Sequence, residues 1–301
     1  MKPLSVSAVL GVALAILVAA APPARAMAAP AAFESGIHAY QDGDYVRALN
    51  AFTQLIDRSD GLASTLLATV YGNRCLVALT LQDYPQAIAD CTQGLQLGLP
   101  GTEPYLNRGL AYYRSGDYAA ALADYRRVLQ ATPDDYRALY NRGLAQAELG
   151  RHAQALRDYH RALQLSPLLP SRLARIHLDR GWSHLQLDQH DAAILDFSQA
   201  IAHNGASNDT SAEAYLGRAY VAHCRGELSA ELSDLAHILA INPAHAKAYF
   251  NLGMLYYQQG QVVSAIASFE QAAHHFLRQN NVEAYRHAKQ MLQQLRPTAI
   301  A

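Results

Sequence analysis

Residues 105–133, YLNRGLAYYRSGDYAAALADYRRVLQATP, and residues 139–167, LYNRGLAQAELGRHAQALRDYHRALQLSP, are two copies of one pattern set 34 residues apart. Gly109 recurs as Gly143, Gly116 as Gly150, Ala121 as Ala155, Tyr125 as Tyr159 and Pro133 as Pro167. Carried backwards, the register puts Cys75 and Gly36 where Gly109 stands; carried forwards, it gives Gly181, Ala219 and Gly253. The steps are 39, 34, 34, 38, 38 and 34 residues. A period of this length belongs to stacked units that bury their apolar faces only against their neighbours.

Each copy reads as a helix pair. Gly or Ala in the first helix lets the second approach closely, and Gly43, Gly116, Gly150, Gly226 and Gly260 end the first helix in a left-handed cap. Ala48, Ala87, Ala121, Ala155, Ala193 and Ala265 are the small contacts on the second helix. Phe52, Tyr125, Tyr159, Phe197 and Phe269 fill the space one turn later, and Pro133, Pro167 and Pro243 stop the second helix. The sixth copy departs most, because Glu231 stands where the small Ala is expected. Four or five extra residues follow Asp57, surround residues 166–170 and cross residues 203–211, where they lengthen loops or add a helical turn.

In period and pattern the chain resembles the tetratricopeptide repeat family over residues 31–277. The resemblance implies an all-α, right-handed superhelical solenoid of about seven antiparallel helix pairs. The pairs fall near residues 31–58, 68–98, 102–133, 136–167, 174–204, 212–243 and 246–277, within a repeat domain spanning 27–301. A capping helix follows at 282–295. It also implies a protein or peptide partner held along the inner surface. Three before, one after and four after each reference residue, that surface would carry Leu106, Leu110 and Tyr113, then Tyr140, Leu144 and Ala147, then Leu178, Trp182 and Leu185. Leu216, Tyr220 and His223 follow, then Phe250, Met254 and Tyr257. Such an aromatic groove marks an interaction surface unless closure of the stack buries it. Some family members grip a C-terminal carboxylate there with Lys, Asn and Arg. Here Phe33, Ile37 and Leu106 occupy matching places without a Lys, so that mode is not expected.

Five copies share a second regularity. Arg74, Arg108, Arg142, Arg180 and Arg218 precede the reference residue, and Asp90, Asp124, Asp158, Asp196 and Asp234 follow sixteen residues later. The first copy has Ser35 with Ala51, and the last has Leu252 with Ser268. Partners that appear and vanish together are expected to pair inside each unit, guanidinium against carboxylate. The rival is a basic ladder for anions, with the acids coincidental.

Cys75 and Cys91 replace a reference Gly and an aromatic that face each other. A disulfide and two buried thiols both satisfy the spacing. Cys224 is left over. His177 and His184 share a helix face with His190 beyond, but they sit at packing positions without an accompanying acidic or thiolate ligand set. Neither a metal nor any other cofactor is expected.

Lys plus Arg total 24 against 25 Asp plus Glu, so no basic excess is present to neutralise a nucleic acid. Lys2, an uncharged apolar run over residues 4–21, Pro22 and Pro23, and the small residues of Ala24-Arg25-Ala26 read as a signal peptide over residues 1–26. Cleavage would leave no membrane span and an exported chain. That chain would be periplasmic, or thylakoid-lumenal given the similarity of the repeated Asn-Arg-Gly form to repeat proteins of photosynthetic bacteria. No nucleophile elbow, phosphate loop or His-Glu-x-x-His motif is present. The expected role is a non-enzymatic scaffold; a metal- or redox-responsive binding protein is the alternative.

Overall fold

A computed structural model describes residues 29–58, 62–165, 168–204 and 209–295. The signal-peptide reading falls outside these residues, as do Pro167 and parts of the three lengthened junctions. Fifteen helices and no strand occur among the described residues. The chain divides into two compact units after Leu165.

The first unit contains four helix pairs: α1 (Ala29–Gln41) with α2 (Tyr45–Asp57), α3 (Ser64–Thr80) with α4 (Tyr84–Gln96), α5 (Glu103–Arg114) with α6 (Tyr118–Ala131), and α7 (Tyr136–Glu148) with α8 (His152–Gln164). The second contains three: α9 (Pro170–Leu185) with α10 (His190–Asn204), α11 (Asp209–Arg225) with α12 (Leu228–Ile241), and α13 (Ala246–Gln258) with α14 (Val262–Arg278). Helix α15 (Val282–Leu295) closes that unit. In each unit every helix packs on the next along the chain, so a pair is covered by its neighbours.

Local chemistry sets the ends. Asp44, Asp83 and Asp117 each accept a backbone N–H three residues on, capping α2, α4 and α6. Every first helix ends in a residue with positive φ; in the second and fifth pairs it is Gln82 (φ 63°) and Asp188 (φ 56°) rather than Gly. The chain geometry therefore holds without glycine, at a cost of about 1–2 kcal/mol per residue for an L side chain. The extra residues before α3, α9 and α11 go into longer first helices of 16 or 17 residues, against 12 or 13 in α5 and α7.

The reference glycines meet aromatic rings. A Cβ on Gly109 would lie 2.8 Å from Tyr125, and one on Gly181 would lie 2.8 Å from Phe197. The small alanines and the rings opposite them are buried throughout. This contact recurs in five of the seven pairs; in the same places the second pair has Cys75 with Cys91 and the sixth has Ala219 with Leu235, all buried.

Candidate functional site

The face expected to bind a partner differs between the two units. In the first, Leu106, Leu110, Tyr113, Tyr140 and Leu144 are buried, with Tyr140 only 2% exposed. The expectation of an open groove along these five residues is therefore corrected. Tyr113 packs on Tyr118 at 5.6 Å and Tyr140 on Tyr159 at 6.0 Å, while Leu110 joins the cluster around Cys75 and Cys91. The stripe has the azimuth the register demands, but neighbouring side chains cover it.

In the second unit, α9, α11 and α13 present a more open face. Tyr220 is 53% and Tyr257 46% exposed, although Leu178 and Leu185 are buried. Trp182, Phe250 and Met254 are half-buried. Trp182 meets Phe197 edge-on at 5.2 Å, and Phe250 meets Phe269 at 5.4 Å. These rings are anchored at one edge and open at the other, the arrangement that loses least entropy when a partner docks.

The ion pairs run within the repeats. Arg74 binds Asp90 through Nε and Nη2 at 2.8 and 2.7 Å, and Arg108 binds Asp124 at 2.8 Å through both. Arg142 with Asp158, Arg180 with Asp196 and Arg218 with Asp234 repeat this fork. All five carboxylates are buried and each guanidinium keeps an exposed edge. Burial pulls the Arg74 guanidinium down, but its bonds to Asp90 outweigh that and hold it above its ordinary value. At Asp196, burial pushes the carboxyl up, yet bonds from His177 and Arg180 bring it below the ordinary carboxylate range.

Two features of this ladder were not read from the sequence. Arg74 and Arg108 each donate a further bond from Nη1, to Thr53 and Thr92 on the second helix of the preceding pair. Arg218 does the same to Ser198. Each hydroxyl stands two residues beyond the Asp column, a spacing that could have revealed it. Six residues before the reference positions lies a second charged column, in which Arg137 bridges Glu103 at 2.6 Å and Arg175 meets Glu213 at 3.3 Å. Its signal is the same period.

Cys75 and Cys91 form a disulfide between α3 and α4, with Cα atoms 5.4 Å apart, where five of the other six pairs hold Gly against a ring. Cys224 is a free, exposed thiol. His177 donates through Nδ1 to Asp196 at 2.8 Å, and His184 Nε2 lies 3.6 Å from the same carboxylate. Among the described residues no group of three or more His, Cys, Asp or Glu side chains is placed to hold a metal ion, and no helix is long and apolar enough to cross a membrane.

Sequence profiles described as tetratricopeptide repeat match residues 106–170, 178–241 and 246–277. No curated protein sequence matches the chain. Among solved structures, a tetratricopeptide repeat protein from Parabacteroides merdae is 19% identical with a TM-score of 0.65, covering 89% of this chain and 98% of that one. PilF of Pseudomonas aeruginosa is 17% identical with a TM-score of 0.60, covering 74% and 96%. YrrB, described as having an unusual peptide-binding site, is 20% identical with a TM-score of 0.50, covering 66% and 97%. Likeness at these identities is likeness of fold.

Proposed function

This chain belongs to the tetratricopeptide repeat family, and from that premise we propose that it is a non-enzymatic scaffold holding a polypeptide partner against α9, α11 and α13. The observation that carries the reading is the pair of exposed tyrosines, Tyr220 and Tyr257, beside half-buried Trp182, Phe250 and Met254. Aromatic residues that are exposed in the free protein and rigid at their base are the usual anchors of such contacts. YrrB, with its peptide-binding site, is a precedent within the same fold.

The scaffold works outside the cytoplasm, in the periplasm or a comparable lumen. The charged start, apolar run and Ala24-Arg25-Ala26 support export, and the Cys75–Cys91 disulfide supports an oxidising compartment. The test is capture of the partner by chain lacking residues 1–26, prepared as wild type and as Tyr220→Ala/Tyr257→Ala. Loss of the captured polypeptide from the double variant, with helicity unchanged, supports the reading. Equal capture by both refutes it.

A further inference from the structure

Tyr220 and Ala222 lie two residues apart on α11, about 200° around the helix axis. Ala222 borders an open cavity of about 330 Å³, walled also by Ile194 and Ser198 of α10, by Arg218, and by Ala230 and Asp234 of α12. This is the size range of small-ligand sites, and its lining mixes the apolar Ile194, Ala222 and Ala230 with polar and charged groups.

The third repeat shows what fills such a space. In the shared register these six residues correspond to Ile88, Thr92, Arg108, Tyr112, Ala120 and Asp124. Five of the six are identical or nearly so; the sixth replaces a tyrosine with an alanine. Arg108 lies between two rings, its Cζ 5.7 Å from the centre of Tyr105 and 6.0 Å from that of Tyr112. Arg218 keeps the first, Tyr215 at 5.3 Å, while Ala222 supplies no second. The Arg218 side chain is accordingly 31% exposed, against 18% for Arg108. The second repeat also has an alanine here, Ala78, but Tyr84 packs against its cluster. In the sixth repeat Leu228 stands in the place of Tyr84 and points to solvent.

We propose that this cavity is a docking site for a tyrosine side chain of a polypeptide partner, its ring taking over Arg218 the place that Tyr112 takes over Arg108. The guanidinium is already fixed by Asp234 and by Ser198 at 3.2 Å, so a ring stacking on it meets a preorganised cation. Glu227 and Ser233 on the cavity wall can accept the phenol O–H, which favours tyrosine over phenylalanine. The site is separate from the face of Tyr220 and Tyr257 and goes beyond the partner contact proposed there.

The experiment titrates p-cresol, the tyrosine side-chain analogue, into the full chain and follows backbone amide shifts, with toluene and N-acetyltyrosinamide as comparisons. The expected result is saturable shifts at Ala222, Ala230 and Ser233, with toluene several-fold weaker. In Ala222→Tyr, or in Ala222→Met should the tyrosine variant not fold, p-cresol affinity falls about tenfold or more because the space is filled. N-acetyltyrosinamide is expected to bind at least as well as p-cresol; its exclusion would overturn a polypeptide source in favour of a free phenol. Shifts elsewhere, or affinity unchanged in the filled variants, would overturn the site. Tyr220→Ala/Tyr257→Ala should retain p-cresol binding, so failure of one proposal is distinguishable from failure of the other.

Discussion

Both carboxylate oxygens of Asp124 on α6 are taken by Arg108 on α5, Oδ2 by Nε and Oδ1 by Nη2, each at 2.8 Å. The carboxylate is almost fully buried, and the guanidinium is spare at one edge, where Nη1 reaches Thr92 of the preceding pair. One side chain therefore closes its own helix pair and registers it against the previous one. Asp124→Ala removes the acidic partner of a largely buried cation. The expected loss is about 3 kcal/mol, above the ~1 kcal/mol of exposed pairs. Arg108→Leu with Asp124→Ala should recover much of it, because no charge is then stranded. Chemical denaturation of the three proteins decides the point; equal midpoints for Asp124→Ala and wild type would mean that the pair contributes nothing.

Cys75 and Cys91 span 16 residues and stand where five other pairs have a glycine–ring contact. Closing a loop of that length restricts the unfolded chain by about 3 kcal/mol. Thiol titration of the native protein should count one reactive group, Cys224, and titration after reduction and unfolding should count three. Cys75→Ser/Cys91→Ser is expected to lose more than that 3 kcal/mol, since two hydroxyls are then left in an apolar site. Proteolysis should locate the weakened segment at α3 and α4.

His245 caps α13 by accepting the Ala248 N–H through Nδ1 at 3.1 Å, which requires that nitrogen to be unprotonated. Burial and the nearby Lys247 charge push its pKa below the ordinary value, against smaller opposing effects of its backbone bond and Asp209. A histidine whose folded pKa is depressed releases protons on folding, so its contribution is complete above about pH 6.5, the unfolded value. It declines as the pH falls from there through the folded pKa. Denaturation midpoints measured from pH 8 to 5 should show this decline in wild type. His245→Asn keeps a cap without a titrating group and should flatten that part of the curve.

Trp182 and Tyr220 occupy the same register position in successive repeats and should respond differently. Trp182 is half-buried against Phe197, so Trp182→Ala is expected to lower the melting temperature, in line with a loss of about 3 kcal/mol for a packed aromatic. Tyr220 stands exposed, so Tyr220→Ala should leave melting unchanged and weaken partner binding by about 2 kcal/mol. Melting curves and binding isotherms on the two variants separate the effects; a melting loss in Tyr220→Ala would make it a packing residue.

The period of Gly36, Cys75, Gly109, Gly143, Gly181, Ala219 and Gly253 was enough to determine the helix pairs, because a small residue facing a buried side chain sixteen positions later, a ring in five of the seven, imposes one packing geometry wherever it recurs. The Arg and Asp columns were legible for the same reason: two residues at fixed places in a fixed unit meet in every copy. Coverage was not legible. The register gives the azimuth of Leu106 and Tyr140, but burial depends on how close the flanking side chains come, and there Tyr118, Tyr159 and the Cys75–Cys91 cluster closed over the stripe. Nor did one helix pair reveal Thr53 or Thr92 as partners, since those bonds join one pair to the pair before it. The space beside Ala222 is likewise a property of three helices together. Periodic sequence determines contacts internal to the repeat; what is covered, bridged or left empty is decided by neighbours, whose side chains vary from copy to copy.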